Sequence, residues 1–588
     1  MKILYFVAVV LFLVSCGQKF NPEITVEDIK ENVDYLASDS LKGRKPGEKG
    51  GLLAAQFIRD RFESAGLELL YDNGFQKFGL VTSAEIGEGN SFGFDDKLFE
   101  VEKDYLPYAF SANTSVEALV VFAGFGLQVN KDTLHWDDFE GVDVAGKWIL
   151  ALQGDPDLDN AQSPFLEFSS ERAKALTASD NNAAGLILVA GTKFSEKDEL
   201  SSLFFDKNSR RYDFPILQVT REVANEILAI TGETVESLES QITENNKPVN
   251  VETNTKLAVA INVVQKETET QNVVAMISGT DENLKNEYVI VGGHYDHLGM
   301  GGPGSGSRAV DTIAVHNGAD DNASGVAAVI ELAEKIVAEK SNKRSIIFAA
   351  FGAEEMGLVG SKEFTAKPPV NAENMVAMFN FDMVGRLDSI SKALSIGGTK
   401  TSIETEEILK RLNTGFELAL SPEGIGPSDH ASFYLQNVPV FFISTGAHSD
   451  YHTPLDDVQF INFDGVKEVV DYSYSLLNEV VNLDSALTFQ EAGPKFQRSR
   501  GGSLKITFGI MPDFAGMEKR GLRIDAVTKG KPADLAGMKK GDIITAIDGK
   551  KVGGIHDYMS RLQSLEASQT VLVDIIRETK ETVLIIQL

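Results

Sequence analysis

Two adjacent acids, Glu354 and Glu355, follow the apolar run "SIIFAA" and stand in the small-residue turn "FGAEEMG". Side chains leaving a strand in succession point to opposite sides, so neighbouring carboxylates at a strand end can serve different partners. Of the chain's 8 histidines, His294, His297, His316, His430, His448 and His452 crowd into one region. Most stand among acids, in "GGHYDHLG", "HNGADDNASG" and "HSDYHTPLDD", and a further acid lies in "NFDMVGR". Imidazole and carboxylate donors together suit zinc, whereas cages built only from oxygen suit calcium or magnesium. The set contains no cysteine, which excludes a thiolate-bound structural zinc. Metal-activated water beside a carboxylate that takes its proton is hydrolytic chemistry.

The elements that position these residues are legible from periodicity. From about residue 255 to 480, apolar strands alternate with amphipathic helices such as "SGVAAVIELAEKIVAEK". That alternation predicts a helix-flanked, largely parallel sheet. "YVIVGG" leads into His294, "SIIFAAFG" into Glu354 and "MFNF" into Asp382. In such sheets ligands bind beyond the carboxyl ends of the strands, so three strands deliver ionisable groups to one edge. Upstream, "PGEKGGLLAAQFIRDRFESAGLE" has helical spacing bounded by Pro-Gly and Gly66.

These five segments, in this order, resemble the co-catalytic zinc metallopeptidase family of bacterial secreted aminopeptidases, glutamate carboxypeptidase and glutaminyl cyclase relatives. The resemblance covers about residues 25 to 105 and 255 to 480. It implies an α/β zinc-exopeptidase fold holding two zinc ions through His294, Asp320, Glu355, Asp382 and His452. In that pattern Asp320 bridges the ions, His294 and Asp382 complete one site, and Glu355 and His452 complete the other. Glu354 is then the general base acting on a water held between the metals. Asp296 orients the His294 imidazole, and Tyr451 hydrogen-bonds the developing oxyanion. Asp321 is positional, joined to Asp320 by the strained peptide bond that the family carries there. "GPSDHASFY", with Ser428, Asp429, His430 and Tyr434, recurs near the family's substrate pocket.

The implied activity is that of an exopeptidase, foremost an aminopeptidase. A carboxypeptidase or dipeptidase of the same family is the alternative, as is a membrane-tethered peptide-binding protein. Residues 17–105 and 250–485 form the expected peptidase domain, interrupted at 106–249 by short β-rich runs that resemble a protease-associated domain. A polar Gly- and Pro-bearing linker at 486–502 precedes residues 503–588, which resemble a PDZ domain. There "KPADLAGMKKGDIITAIDGKKV" is the strongest stretch and "FGIMP" the expected carboxylate-binding loop, able to capture peptide C-termini.

A net charge of −31 and the lack of a basic cluster exclude a nucleic-acid backbone as partner. The start, "MKILYFVAVVLFLVSCGQ", has an apolar run too short to span a bilayer but suited to a signal core. Its "LVSC" resembles a bacterial lipoprotein signal, spanning residues 1–16, which implies that Cys16 becomes the lipidated first residue of the mature chain and carries the lipid anchor. The expectation is an exported lipoprotein of the cell envelope, on the periplasmic or surface side of the outer membrane. Cys16 being the sole cysteine, the chain has no internal disulfide.

Overall fold

The computed structural model describes residues 20–588 apart from 132–133, 159, 161–162, 204, 206–210, 494–505, 513–517, 519, 564 and 567. The signal segment with Cys16, and residues 494–502 of the expected linker, lie outside the described residues. Among the described residues no helix is long and apolar enough to cross a membrane.

Nine strands make the largest sheet: β1 (Glu68–Leu69), β2 (Phe75–Ile86), β3 (Val263–Ile277), β4 (Tyr288–His294), β5 (Ser345–Phe351), β6 (Met375–Phe381), β7 (Ala393–Gly397), β8 (Glu417–Leu420) and β9 (Val440–Ser444). Their spatial order is β1-β3-β5-β4-β6-β9-β7-β8, with β2 paired to β3. The centre of the sheet is parallel, β4 lying between β5 and β6 and β9 beyond β6. Every residue of β5, and all of β4 after Tyr288, is buried. Each fully buried Val, Ile or Phe there contributes about 1.5–3 kcal/mol, which explains the near-continuous apolar runs.

Helices α1 (Val26–Leu36), α2 (Lys49–Ala65), α3 (Gly325–Glu339) and α4 (Phe463–Asn482) pack into one core with the sheet. Ala54, Ile58 and Phe62 of α2 are buried there, and Gly66 in the left-handed region ends the helix.

The inserted region forms its own eight-stranded sheet, which includes Ser91–Phe94, Lys97–Phe99, Tyr105–Pro107 and Asn250–Ala260. The insert is therefore wider than the expected 106–249. Its first strands precede the change in sequence texture, and its last returns antiparallel against Ser115–Ala123. At the other end of the chain, β10 (Ile510–Pro512) and β11 (Leu522–Val527) belong to a six-stranded sheet accompanied by helix α5 (Ile555–Gln563). Arg561 of α5 forms a bidentate ion pair with Asp180 of the insert at 2.5 and 2.7 Å. Lys540 Nζ donates to Gln436 Oε1 of the large domain at 2.6 Å.

Helix α3, which starts just after the acidic loop at 319–324, buries two carboxylates of its own. Glu331 accepts from Asn32 Nδ2 at 3.2 Å, and Glu334 lies 4.0 Å from Arg61 Nε. Burial, and then their mutual repulsion, push Glu331 up to about 8, and burial pushes Glu334 up to about 7. The folded chain thus binds protons that the unfolded chain has released above the ordinary Glu value of 4.5. Its stability at these positions is full below that value and is lost as pH rises toward 8. Glu331→Gln is expected to raise Tm by about 2–4 °C more at alkaline pH than at mildly acidic pH. Thermal unfolding at both pH values checks this, and an equal shift at the two contradicts it.

Candidate metal centre

The carboxyl ends of β4, β5 and β6 deliver His294, Glu354 and Asp382 to one edge of the sheet, as the strand pattern requires. His294 Nε2 lies 3.2 Å from Asp321 Oδ1 and 3.6 Å from Asp382 Oδ1. Beside this group, His452 Nε2 is 3.2 Å from both Asp321 Oδ2 and Glu355 Oε1. His297 Nδ1 is 2.9 Å from the same Glu355 oxygen and 3.8 Å from Asp321 Oδ2. Two overlapping sets result, His294–Asp321–Asp382 and His297–Asp321–Glu355, each with its donor atoms within 4.8 Å of one another. Asp321 is common to both.

The acid between the two halves is therefore Asp321, not Asp320. Asp320 turns the other way: its Oδ1 accepts from Gly385 N at 2.5 Å and Ser324 Oγ at 3.0 Å, and its Oδ2 faces His448 Nε2 at 3.3 Å. The backbone path decides this. Gly318 has φ +54°, and a Cβ there would sit 2.2 Å from the Asp321 carbonyl oxygen and 2.6 Å from the His297 ring. The Asp456 carboxylate accepts from Asp320 N and Asp321 N at 2.9–3.1 Å, clamping the loop. The cis peptide bond joins Asp321 to Asn322, one residue beyond the expected Asp320–Asp321 position. Asn322 then ties the strand ends together, donating to Phe381 O at 2.8 Å and accepting from Met383 N at 3.2 Å.

Asp296 supports the acidic turn more than the imidazole. Its two carboxylate oxygens accept from Glu354 N at 3.0 Å and Glu355 N at 3.3 Å. The nearest oxygen to His294 Nδ1 is the Asp296 backbone carbonyl at 3.2 Å, with the carboxylate at 3.8 Å. Tyr451 stacks on the His452 ring at 3.8 Å and lines a cavity of about 250 Å³ with Glu354 and Glu355. Ala353, Met383 and His452 all have φ between +57° and +59°, a conformation uncommon outside glycine that gathers at functional sites. Of the "GPSDHASFY" group, Ser428 accepts from Asn380 Nδ2 at 2.8 Å. His430 stacks on Phe442 at 4.3 Å, its imidazole pulled down to about 3 by burial.

Sequence reasoning did not single out His297 or Arg44. The first carried a signal, since "HYDH" places two imidazoles three residues apart at the end of a strand. Arg44 is fully buried and donates to the carbonyls of Leu36 and Asn317 at 2.6 Å, Tyr295 at 2.7 Å and Gly318 at 3.0 Å. It thereby holds the His294 loop against the loop that carries Asp321.

The electrostatics call for cations. Asp296, Asp321, Glu354 and Glu355 converge in a buried space, and the buried Arg44 directs its donors to backbone carbonyls. Burial, opposed by His294 and reinforced by Glu355, pushes Asp296 up to about 6. Burial, opposed by His294 and reinforced by Glu355 and Asp429, holds Glu354 well above the usual carboxylate range. Burial and Asp321 would raise Glu355 too, but His297 and His452 bring it down to about 2. Like charges so placed need compensation, and mixed imidazole–carboxylate donors match zinc. The residues present fit the metal. Asp321→Ala is expected to lose most bound zinc, while Asp320→Asn keeps it. Elemental analysis of the two purified variants tests the assignment, and the opposite pattern would restore Asp320 as the shared ligand.

Residues 272–477 match the model of Peptidase family M28, and residues 523–575 match a PDZ domain model. The chain is 38% identical over 113 residues to a probable zinc metalloprotease of Pyrenophora teres f. teres, covering 19% of this chain and 22% of that protein. It is 26% identical over 286 residues to an aminopeptidase of Pseudomonas aeruginosa, covering 43% of this chain and 48% of that one. Against the solved structure of BSAP, a zinc aminopeptidase from Bacillus subtilis, the TM-score is 0.48 and the identity 19%, over 80% of this chain and 97% of that one. The chain spans less than half the length of these two curated relatives. The whole acid–imidazole cluster lies within residues 272–477, the stretch that matches Peptidase family M28, and residues 523–575 are the stretch that matches a PDZ domain.

Proposed function

We propose that the protein is an exported zinc-dependent exopeptidase that removes amino-terminal residues from peptides. The observation that carries this reading is the convergence of His294, Asp321, Asp382, Glu355, His297 and His452, with Glu354 and Glu355 lining one cavity. The Pseudomonas aeruginosa relative is itself named an aminopeptidase. Two zinc ions suit the two overlapping donor sets, with Asp321 shared between them; His452 and His297 both face the second position. Bound there, zinc supplies Lewis-acid polarisation of the scissile carbonyl and acidifies water.

The chain's own residues do the rest. Glu354, on the cavity wall, takes a proton from water as its oxygen attacks the carbonyl carbon. It returns that proton to the leaving nitrogen as the C–N bond breaks. Asp296 fixes Glu354 and Glu355 through their backbone N–H groups, so the base holds its aim without a contact to its own carboxylate. Leu358, Ile425, Pro427 and Leu435 give the same cavity an apolar wall, suited to an uncharged side chain. The cluster's excess of carboxylates complements a free amine. Lys362 at this wall is the observation that favours the second reading, a carboxypeptidase or dipeptidase that holds a terminal carboxylate.

Glu354→Gln is expected to lower kcat by about 10²–10⁴-fold while zinc content stays as in the wild type. The wild type is expected to cut unblocked peptides and leave N-acetylated ones intact. Product analysis by mass spectrometry decides: release from the carboxyl end, or equal rates on both substrates, rejects the aminopeptidase.

The resemblance of the insert to a protease-associated domain supports a role in admitting substrate. Leu203 and Phe205 line a second cavity of about 270 Å³ that reaches His297 and Glu355. Cys16, in "LVSC", is the acylated residue that tethers the protein to the cell envelope. Incorporation of labelled fatty acid and recovery in the membrane fraction are expected, both lost in Cys16→Ser; a Cys16→Ser protein still in the membrane fraction contradicts the anchor.

A further inference from the structure

The cavity that carries Glu354 is not closed by the peptidase domain alone. Pro512, the last residue of β10, forms part of its wall, facing a space also lined by Glu354, Glu355 and Tyr451. β10 is the terminal strand of its sheet, paired with β11 through Ile510↔Val527, and no described strand covers its other side. An edge of this kind, flanked by a helix, takes up an extended peptide by strand addition. Here the helix is α5, whose Tyr558 ring packs against Phe508 at 5.8 Å.

The direction of such a peptide follows from the turn before β10. Gly509 has φ +77°, and its N–H donates to Thr507 Oγ1 at 3.0 Å, a local side-chain acceptor that a peptide carboxylate oxygen would replace. The exposed Lys531 lies against this turn, its Cβ 2.2 Å from where a Gly509 Cβ would stand. A backbone N–H donor with a cation beside it suits a terminal carboxylate. With the carboxylate held at residues 508–510, the upstream residues must run along β10 toward Pro512, and Pro512 opens on the catalytic cavity.

We infer that the PDZ domain is the distal part of the substrate site: one peptide lies with its C-terminal carboxylate at the Phe508–Ile510 turn and its N-terminus at Glu354. This rests on the aminopeptidase reading and adds a substrate class to it, short peptides with both ends free. From Phe508 to Pro512 is four strand steps of about 3.3 Å, roughly 13 Å. Peptides shorter than about five residues cannot reach both ends. The Arg561–Asp180 and Lys540–Gln436 contacts join the PDZ domain to the insert and to the peptidase domain.

The test uses the full-length zinc-loaded protein and unblocked peptides of graded length, each as the free acid and as the C-terminal amide, with release of the amino-terminal residue measured. For peptides long enough to span the groove, the acid is expected to show kcat/KM about tenfold above the amide, mostly in KM. Dipeptide acid and amide are not expected to differ in this way, and Lys531→Glu is expected to bring the long-peptide ratio toward one. Equal values for long acids and amides overturn the inference while leaving the aminopeptidase intact. So does an N-acetylated, free-acid peptide that binds the protein without competing against turnover. If no unblocked peptide, dipeptides included, loses its first residue, the failure lies with the aminopeptidase reading itself.

Discussion

Everything at the catalytic edge answers to one constraint: several carboxylates are held together away from water, where their mutual repulsion is at its strongest. Asp321 and Glu355 stay ionised because imidazoles approach them within 2.9–3.2 Å, while Glu354 and Asp296 are driven toward the protonated form. Removing charged groups from water costs several kcal/mol per ion unless opposite charge is supplied. Metal held at Asp321 would supply it and would reverse the local balance, making the histidines neutral ligands and the carboxylates anionic ones. The site is thus built for occupancy, and its charge pattern makes little physical sense without cations.

Holding such a cluster requires that backbone, rather than side-chain, geometry be fixed first. Asp456 clamps the N–H groups of residues 320 and 321, Asn322 bridges the ends of β4 and β6, and Arg44 joins four carbonyls from three segments. Asp296 does the same for the turn at 354–355. Each of these groups satisfies buried backbone donors or acceptors that would otherwise cost about 1–3 kcal/mol apiece. They leave the ligand atoms free to face one another.

This division explains how much the sequence disclosed. Strands β4, β5 and β6 are legible because burial on both faces demands apolar runs, and their carboxyl ends name His294, Glu354 and Asp382 directly. The choice between Asp320 and Asp321 is not legible in the same way. Both are acids in "ADDNASG", and which one faces inward depends on a left-handed Gly318 and on Asp456, 135 residues away. His297 was obscured for a related reason: its partner Glu355 lies 58 residues on, and only the fold brings them to 2.9 Å. The insert begins earlier than its change of texture because Ser91–Phe94 and Asn250–Ala260 look like ordinary alternating strands until they pair.

The accessory domains have a physical consequence for the chemistry beyond attachment. A cluster that must exclude bulk water to be effective is better served by walls on several sides. Leu203 and Phe205 of the insert face the side of His297 and Glu355, and Pro512 of the PDZ domain faces the side of Glu354 and Tyr451. The peptidase sheet alone would leave both sides open. The domains that supply these walls have hydrophobic cores of their own, distinct from the one that packs the strands that aim the ligands. Delivery of the reactive groups and the enclosure around them are thus assigned to different domains, so the strands that aim the ligands need not also build the walls.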